Sequence, residues 1–231
     1  MNNLAIYKSR FMKSKVDSQT LNWRAIEEVV EDVSNKSLVN CLDLILSDDQ
    51  LLEAAARRSH RHQLGFLKFV LLANDPTYCL RMHLWDDESI NIEEDIHSHC
   101  AHFSSRIVFG AIQENSYELI PGDAYKCFLY SFEQSLGHCV AKENGTTGVV
   151  RSGSRVLTKG NIYRAESNSL HNISQVKLGT LTVSAWGVRE REALVLKNRQ
   201  AIPKDCLVSS GIDLEELRSK LSKIKNRIED I

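Results

Sequence analysis

The chain has no excess of charge of either sign, no closely spaced cysteine pair and no long apolar run. Twenty-nine Lys and Arg stand against 30 Asp and Glu, a formal net charge of -1. Nothing in that balance draws in phosphate backbones, so no nucleic-acid partner is expected. Six cysteines, Cys41, Cys79, Cys100, Cys127, Cys139 and Cys206, are scattered without Cys-x-x-Cys spacing. In a chain long enough to fold without staples, that predicts reduced thiols. The opening Met1 to Lys8 has no apolar stretch of signal-peptide length, and no later run approaches the ~20 apolar residues of a membrane span. A cytoplasmic protein without a membrane partner is expected. Internal repeats and low-complexity segments are missing as well.

What remains is an ordinary globular composition, 42% hydrophobic and 26% charged over 231 residues. That length suits one domain with helical extensions, since single cores usually serve ~100 to 200 residues. Residues 18–58 carry helical periodicity: Leu21, Ile26, Val29, Val30 and Val33, then Leu38, Leu42, Ile45 and Leu46. Ser37 is placed to cap the second helix, and Ser47-Asp48-Asp49 to begin a third that ends at Arg57 and Arg58. This region is expected to pack outside a β core.

From Gly65 the pattern changes to short β-like runs. Phe66 to Leu72 ends at an Asn-Asp-Pro turn, and Tyr78 to Trp85 follows. Further runs are Arg106 to Ile112, Ser116 to Ile120 and Tyr125 to Phe132, divided by Glu-Asn and Pro-Gly-Asp turn chemistry. Others are Gly137 to Ala141, Gly148 to Arg151, Ser154 to Leu157, Asn161 to Ala165 and Leu178 to Val188, with residues 143–148 read as a hairpin turn. Many short strands at close spacing predict a sandwich or barrel, and jelly rolls belong to that class. Residues 212–231 read as an amphipathic helix, with Leu214, Leu217, Leu221, Ile224 and Ile228 on one stripe. The stripe packs either on the barrel or against a second copy, giving a homodimer through the C-terminal helix.

The chemistry centres on residues 96–110. His97 and His99 stand two apart, so on a strand both imidazoles share one face, and neutral imidazole is the commonest metal ligand. A pair is not a site; a third ligand must come from elsewhere. The candidate is His171, at the end of Gly160-Asn-Ile-Tyr-Arg-Ala-Glu-Ser-Asn-Ser-Leu-His171. Here the sequence resembles the cupin superfamily. In that family's first motif His97, His99 and Gly110 match, Asn91 replaces the leading glycine, and Phe103 or Ser104 stands where a glutamate belongs. In its second, Gly160 and His171 match, while Glu166, Asn168 and Gln175 stand in for proline, glycine and asparagine. Without the glutamate, the sequence is similar to the cysteine dioxygenase branch, which holds iron with three histidines. Tyr78-Cys-Leu-Arg-Met-His-Leu-Trp85, Ile96-His-Ser-His99 and Leu170-His-Asn-Ile173 look like its segments, and the resemblance covers about residues 64–188.

It implies a mainly β, cupin-type jelly-roll barrel over 64–200, packed on by an N-terminal helical region, 1–63, and followed by a C-terminal helical extension, 201–231. It also implies a metal held by His97, His99 and His171. Three neutral imidazoles suit Fe(II) binding a substrate and dioxygen, with Zn, Mn or Ni as alternatives. By alignment Lys68 falls near the substrate-binding arginine of cysteine dioxygenases, and Trp186 near their cavity tyrosine, so their tyrosine-based apparatus is missing. On the strand Tyr78–Trp85, periodicity buries Leu80 and Met82 and leaves Arg81 and His83 in water, whereas the resemblance turns Arg81, His83 and Trp85 inward.

The expected substrate-binding set is therefore Lys68, Arg81, His83, Trp85 and Trp186. The function expected is a mononuclear non-heme iron oxygenase acting on a small polar or anionic molecule, a thiol or amino acid among them. A zinc-type hydrolase or isomerase, or a metal- or ligand-sensing cupin, is the alternative. His60 and His62 repeat the His-x-His pattern inside Arg57-Arg-Ser-His-Arg-His62, but their basic neighbours disfavour an added cation, and a solvated basic turn is expected.

Overall fold

Local capping chemistry sets the first elements. The computed structural model describes residues 7, 23–74, 78–89, 94–133, 138–206 and 211–230. Helix α1 spans Trp23–Asp32, α2 Asn35–Ser47 and α3 Asp49–Arg58. Ser34, not Ser37, caps α2: its hydroxyl accepts the Ser37 backbone N–H at 3.2 Å. A cap satisfies the amide three residues on, which makes Ser37 the recipient rather than the cap. Asp48 caps α3 by accepting from Gln50 and Leu51, and Arg57 and Arg58 occupy its last turn.

The strands are β1 (His60–Arg61), β2 (Leu67–Asn74), β3 (Tyr78–Trp85), β4 (Ile96–His97), β5 (Phe103–Phe109), β6 (Ala111–Glu133), β7 (His138–Thr158), β8 (Ile162–Ala165), β9 (Leu170–Ser174), β10 (Thr180–Trp186) and β11 (Ala193–Lys197). From β3 to β10 they pair first with last: β3 with β10, β4 with β9, β5 with β8 and β6 with β7, all antiparallel. This is one long hairpin rolled up so that alternate pairs fall in two sheets, β1-β2-β3-β10-β5-β8 and β11-β4-β9-β6-β7. The fold is thus a mainly β jelly roll with N-terminal helices and a C-terminal helix.

Two expected turns are not turns. Residues 121–124 bulge out of β6 between Ile120 and Tyr125, which pair with Gly148 and Thr147, and residues 143–148 lie inside β7. Gly145 has φ 81°, so the glycine chemistry is spent on a bulge in a continuous ribbon. Gly110 has a stricter role. At φ 89°, a Cβ there would lie 2.1 Å from Thr180 Oγ1, so the turn joining β5 to β6 admits no side chain.

Helix α4, Leu214–Glu229, is capped by Asp213 and buries Leu217, Leu221, Ile224 and Ile228. These join Leu38, Leu42 and Leu52 of the first helices and Leu80, Met82 and Val183 of the first sheet in one apolar cluster. Full burial of each such side chain contributes roughly 1.5–3 kcal/mol, so the helices are integral to the sheet they cover. The stripe on α4 finds its partner within the chain, and a homodimer through this helix would have to use its polar face.

This layer decides which way β3 faces. Tyr78, Leu80, Met82 and Leu84 meet the helices, while Cys79 and Trp85 join Phe103, Ile107, Ile173 and Trp186 between the two sheets. Arg81 and His83, in alternation with them, are carried inward. Among the described residues no helix is long and apolar enough to cross a membrane.

Candidate metal centre

Two strands and a loop bring the three histidines together. His97 ends β4 and pairs with His171 of β9. His99 lies just beyond the strand, contrary to a shared strand face, and its backbone N–H is fixed by the Ser167 carbonyl at 3.0 Å. The ring centroids of His97, His99 and His171 are 4.8–4.9 Å apart. One ring nitrogen from each falls within 4.8 Å of the others.

Hydrogen bonds fix which nitrogens are free. His97 Nδ1 lies 2.9 Å from the Asp95 carbonyl, which can only accept, so Nδ1 carries the proton and Nε2 is left as a lone-pair donor. His171 Nδ1 donates to Glu114 Oε1 at 2.9 Å, with the same result. His99 Nε2 and His171 Nε2 are 2.8 Å apart. Two nitrogens bound at ~2.1 Å and at right angles to one ion would be separated by ~3.0 Å.

Burial, reinforced by His171, holds the His97 imidazole down to about 3, and burial beside His97 and His171 puts His99 well below the ordinary histidine range. Both are neutral at physiological pH, the state a metal requires. The donor set fits a divalent cation. Among the described residues no carboxylate joins it: Phe103, at the expected glutamate position, sets its ring edge-on to His99 at 4.8 Å.

Every expected substrate residue reaches the same cavity. A cavity of about 190 Å³ is lined by His97, His99 and His171 together with Lys68, Arg81, His83, Trp85 and Trp186. Trp186 lies between two partners, stacked on Phe103 at 4.4 Å and capped by the Arg81 guanidinium at 4.2 Å, with its edge 5.0 Å from His99. Its indole N–H donates to Ser184 Oγ at 2.9 Å, which fixes the ring. His83 packs on Phe66 at 4.6 Å, and its Nε2 is buried without a hydrogen-bond partner among the described residues. Burial, then the charges of Arg81 and Lys68, hold His83 well below its usual range. The cavity wall formed by β2 and β3 is therefore electropositive.

The sequence reading missed the acids and the tyrosine around the histidines. Glu114 is buried and bridges His171 to Arg155, whose Nε lies 2.5 Å from Glu114 Oε2. Burial would raise the Glu114 carboxyl, but the bonds from His171 and Arg155 outweigh it and hold it below the usual range. Glu94 and Tyr163 also line the cavity.

His60 and His62 are not a solvated turn. β1 pairs with β2, His60 is buried with neither ring nitrogen hydrogen-bonded among the described residues, and His62 lines the cavity. The charge on that strand goes instead to Arg61, which pairs with Asp86 and Glu88. His102 lies outside the cluster, with its Nε2 2.9 Å from Glu190.

No family model and no curated protein matches the chain. Among solved structures it is similar to KdgF from Halomonas sp., at 14% identity and TM-score 0.34 over 57% of this chain and 88% of that one. An RmlC-like cupin from Shewanella frigidimarina gives 13% identity and TM-score 0.34 over 57% and 84%. Hydroquinone 1,2-dioxygenase from Sphingomonas sp. TTNP3 gives 10% and 0.34 over 53% and 65%. At these scores the strand pairing, not the superposition, carries the fold.

Proposed function

We propose that the chain is a mononuclear metal enzyme, an Fe(II) oxygenase of cupin type acting on a small anionic molecule. One observation carries the reading: three histidines, two with Nδ1 tied back by hydrogen bonds, converge in a cavity that Lys68 and Arg81 also line. Three neutral nitrogens leave a bound cation its full double charge and open positions, which favours iron among the metals this set could hold. When bound, iron would supply the redox chemistry that joins a substrate to dioxygen.

The chain's own residues do the rest. A cavity of about 190 Å³ is smaller than the ~300–1,000 Å³ of drug-sized sites, so the substrate is small. Lys68 and Arg81 attract and orient its negative group. Arg81, held flat on Trp186, presents its guanidinium edge for a planar acceptor such as a carboxylate. His83 Nε2 offers a further hydrogen bond. Phe66, Trp85, Phe103 and Trp186 exclude bulk water and strengthen each of these contacts.

The test is metal analysis of protein purified without added ions, followed by oxygen uptake with small carboxylates, amino acids and thiols. Stoichiometric iron and uptake with a small anion support the reading. Zinc in the site, or a flat oxygen trace across the panel with iron bound, moves the assignment to a hydrolytic or a sensing protein.

A further inference from the structure

The cavity is lined by more positive charge than one carboxylate would match. Among the described residues Lys68, Arg81 and Arg189 face a single acid of the same cavity, Glu94. Even with Glu94 ionised, the lining keeps an excess of two positive charges before any metal is added.

Lys68 and Arg81 act from different places. Lys68 of β2 pairs in register with His83, and Val70 with Arg81, so Lys68 and Arg81 are diagonal neighbours on the inner face of the sheet. Such positions lie roughly 7–8 Å apart. The Arg81 side chain leans away from β2. Its Nε donates to Cys79 Sγ at 3.1 Å and its guanidinium lies on the Trp186 ring of β10, which flanks β3 on the side opposite β2. Trp186 is also the ring set edge-on to His99, so the Arg81 charge is the one held close to the histidines.

His83 stands between the two cations, packed on Phe66 at 4.6 Å. Its Nε2 is buried without a hydrogen-bond partner among the described residues. A buried polar atom in that state takes its partner from whatever occupies the cavity. One carboxylate spans too little to meet cations at two such places, and a second anionic group is the natural match for the farther one.

We propose that the occupant is a small dicarboxylate lying along β3, with one carboxylate between Arg81 and the three-histidine centre, the other at Lys68, and its middle against His83. The orientation rests on the reading of the histidines as a metal site. A cavity of about 190 Å³ limits the chain between the carboxylates to a few atoms. Lys68 then sets specificity: a monocarboxylate makes one of the two ionic contacts, a dicarboxylate both.

Calorimetry on cobalt(II)-loaded and metal-free protein tests this without turnover. The probes are malonate, succinate and glutarate, each against the monocarboxylate of equal chain length, propionate, butyrate or pentanoate. Inorganic phosphate serves as a dianion with its charge on one centre. At least one dicarboxylate should bind about tenfold tighter than its monocarboxylate, and tighter than phosphate. Lys68→Met should remove that difference. Lys68→Gln serves if methionine does not fold, and the wild-type series tests the claim without any variant.

Paired acids that bind equally, phosphate that binds as tightly as the best dicarboxylate, or an advantage unchanged in the Lys68 variant overturns the proposal. If the visible spectrum shows cobalt bound in those same samples, the metal reading stands. A dicarboxylate advantage in protein that takes up no cobalt supports the two separate anion contacts and overturns the metal reading instead.

Discussion

His97 and His171 occupy the one register pair that joins β4 to β9, with ring centroids 4.9 Å apart. Seventy-three residues of chain separate them, and the first-to-last pairing of a jelly roll closes that distance. The second strand must meet the seventh, so the ligands come from the segments that the topology obliges to touch. Each is then locked from behind, His97 by the Asp95 carbonyl and His171 by Glu114.

Glu114 fixes the tautomer and orientation of His171 as a ligand. Glu114→Ala should lower divalent-metal affinity about 10- to 100-fold with the fold retained, and Glu114→Gln should fall between it and wild type. Competition against a chromophoric chelator measures this. Unchanged affinity in both variants would mean that the Glu114–Arg155 pair is structural only.

His60 is buried with both ring nitrogens unpaired among the described residues, and burial, then Lys68 and Arg81, bring it down to about 3. Its unfolded value is ~6.5, so the unfolded chain binds the extra proton between those limits. The residue therefore costs stability as pH falls from ~6.5 towards 3, and costs nothing further by titration above that window. His60→Phe should raise the melting temperature, and raise it more at pH 5 than at pH 8. Equal gains at both pH values would show that the imidazole is not held neutral.

Asp86, just after β3, ties three elements together, accepting from Arg61 of β1 and from Lys220 of α4 at 2.8 and 2.9 Å. Burial opposes its charge, but the bonds from Arg61 and Lys220 prevail and bring the carboxyl down to about 2. A depressed carboxyl contributes stability above its unfolded value of ~3.9 and loses it as pH falls through the folded value. Asp86→Asn should cost about 2 kcal/mol in urea unfolding at pH 7, and the difference should shrink between pH 4 and 2. A difference independent of pH would point to packing rather than charge.

Much of this was legible in the sequence, for identifiable reasons. His97, His99 and His171 carry their chemistry in their residue type, and their distances from Gly110 and Gly160 carry the resemblance that singles them out. The apolar stripe of α4 was plain for the same kind of reason. Glu114 had no such signal: one of many acids, it gains its role only because β6 pairs with β9 and sets it beside His171.

Facing on β3 was ambiguous because both faces are buried, one under helices and one in the cavity, and alternation cannot rank two buried faces. The bulges of β6 and β7 were read as turns because glycine and proline chemistry is the same in both; only the pairing across the ribbon tells them apart. His60 and His62 were misplaced by their charged neighbours, which take ion pairs of their own: Arg57 with Glu53, and Arg61 with Asp86 and Glu88.

The most direct test is X-ray absorption on the iron(II)-loaded protein, comparing wild type with His171→Ala. Three imidazole ligands in wild type, falling to two in the variant with a large loss of iron affinity, is the predicted result. A wild-type shell without imidazole scattering, or one unchanged by removal of His171, would contradict the shared centre on which the proposed function rests.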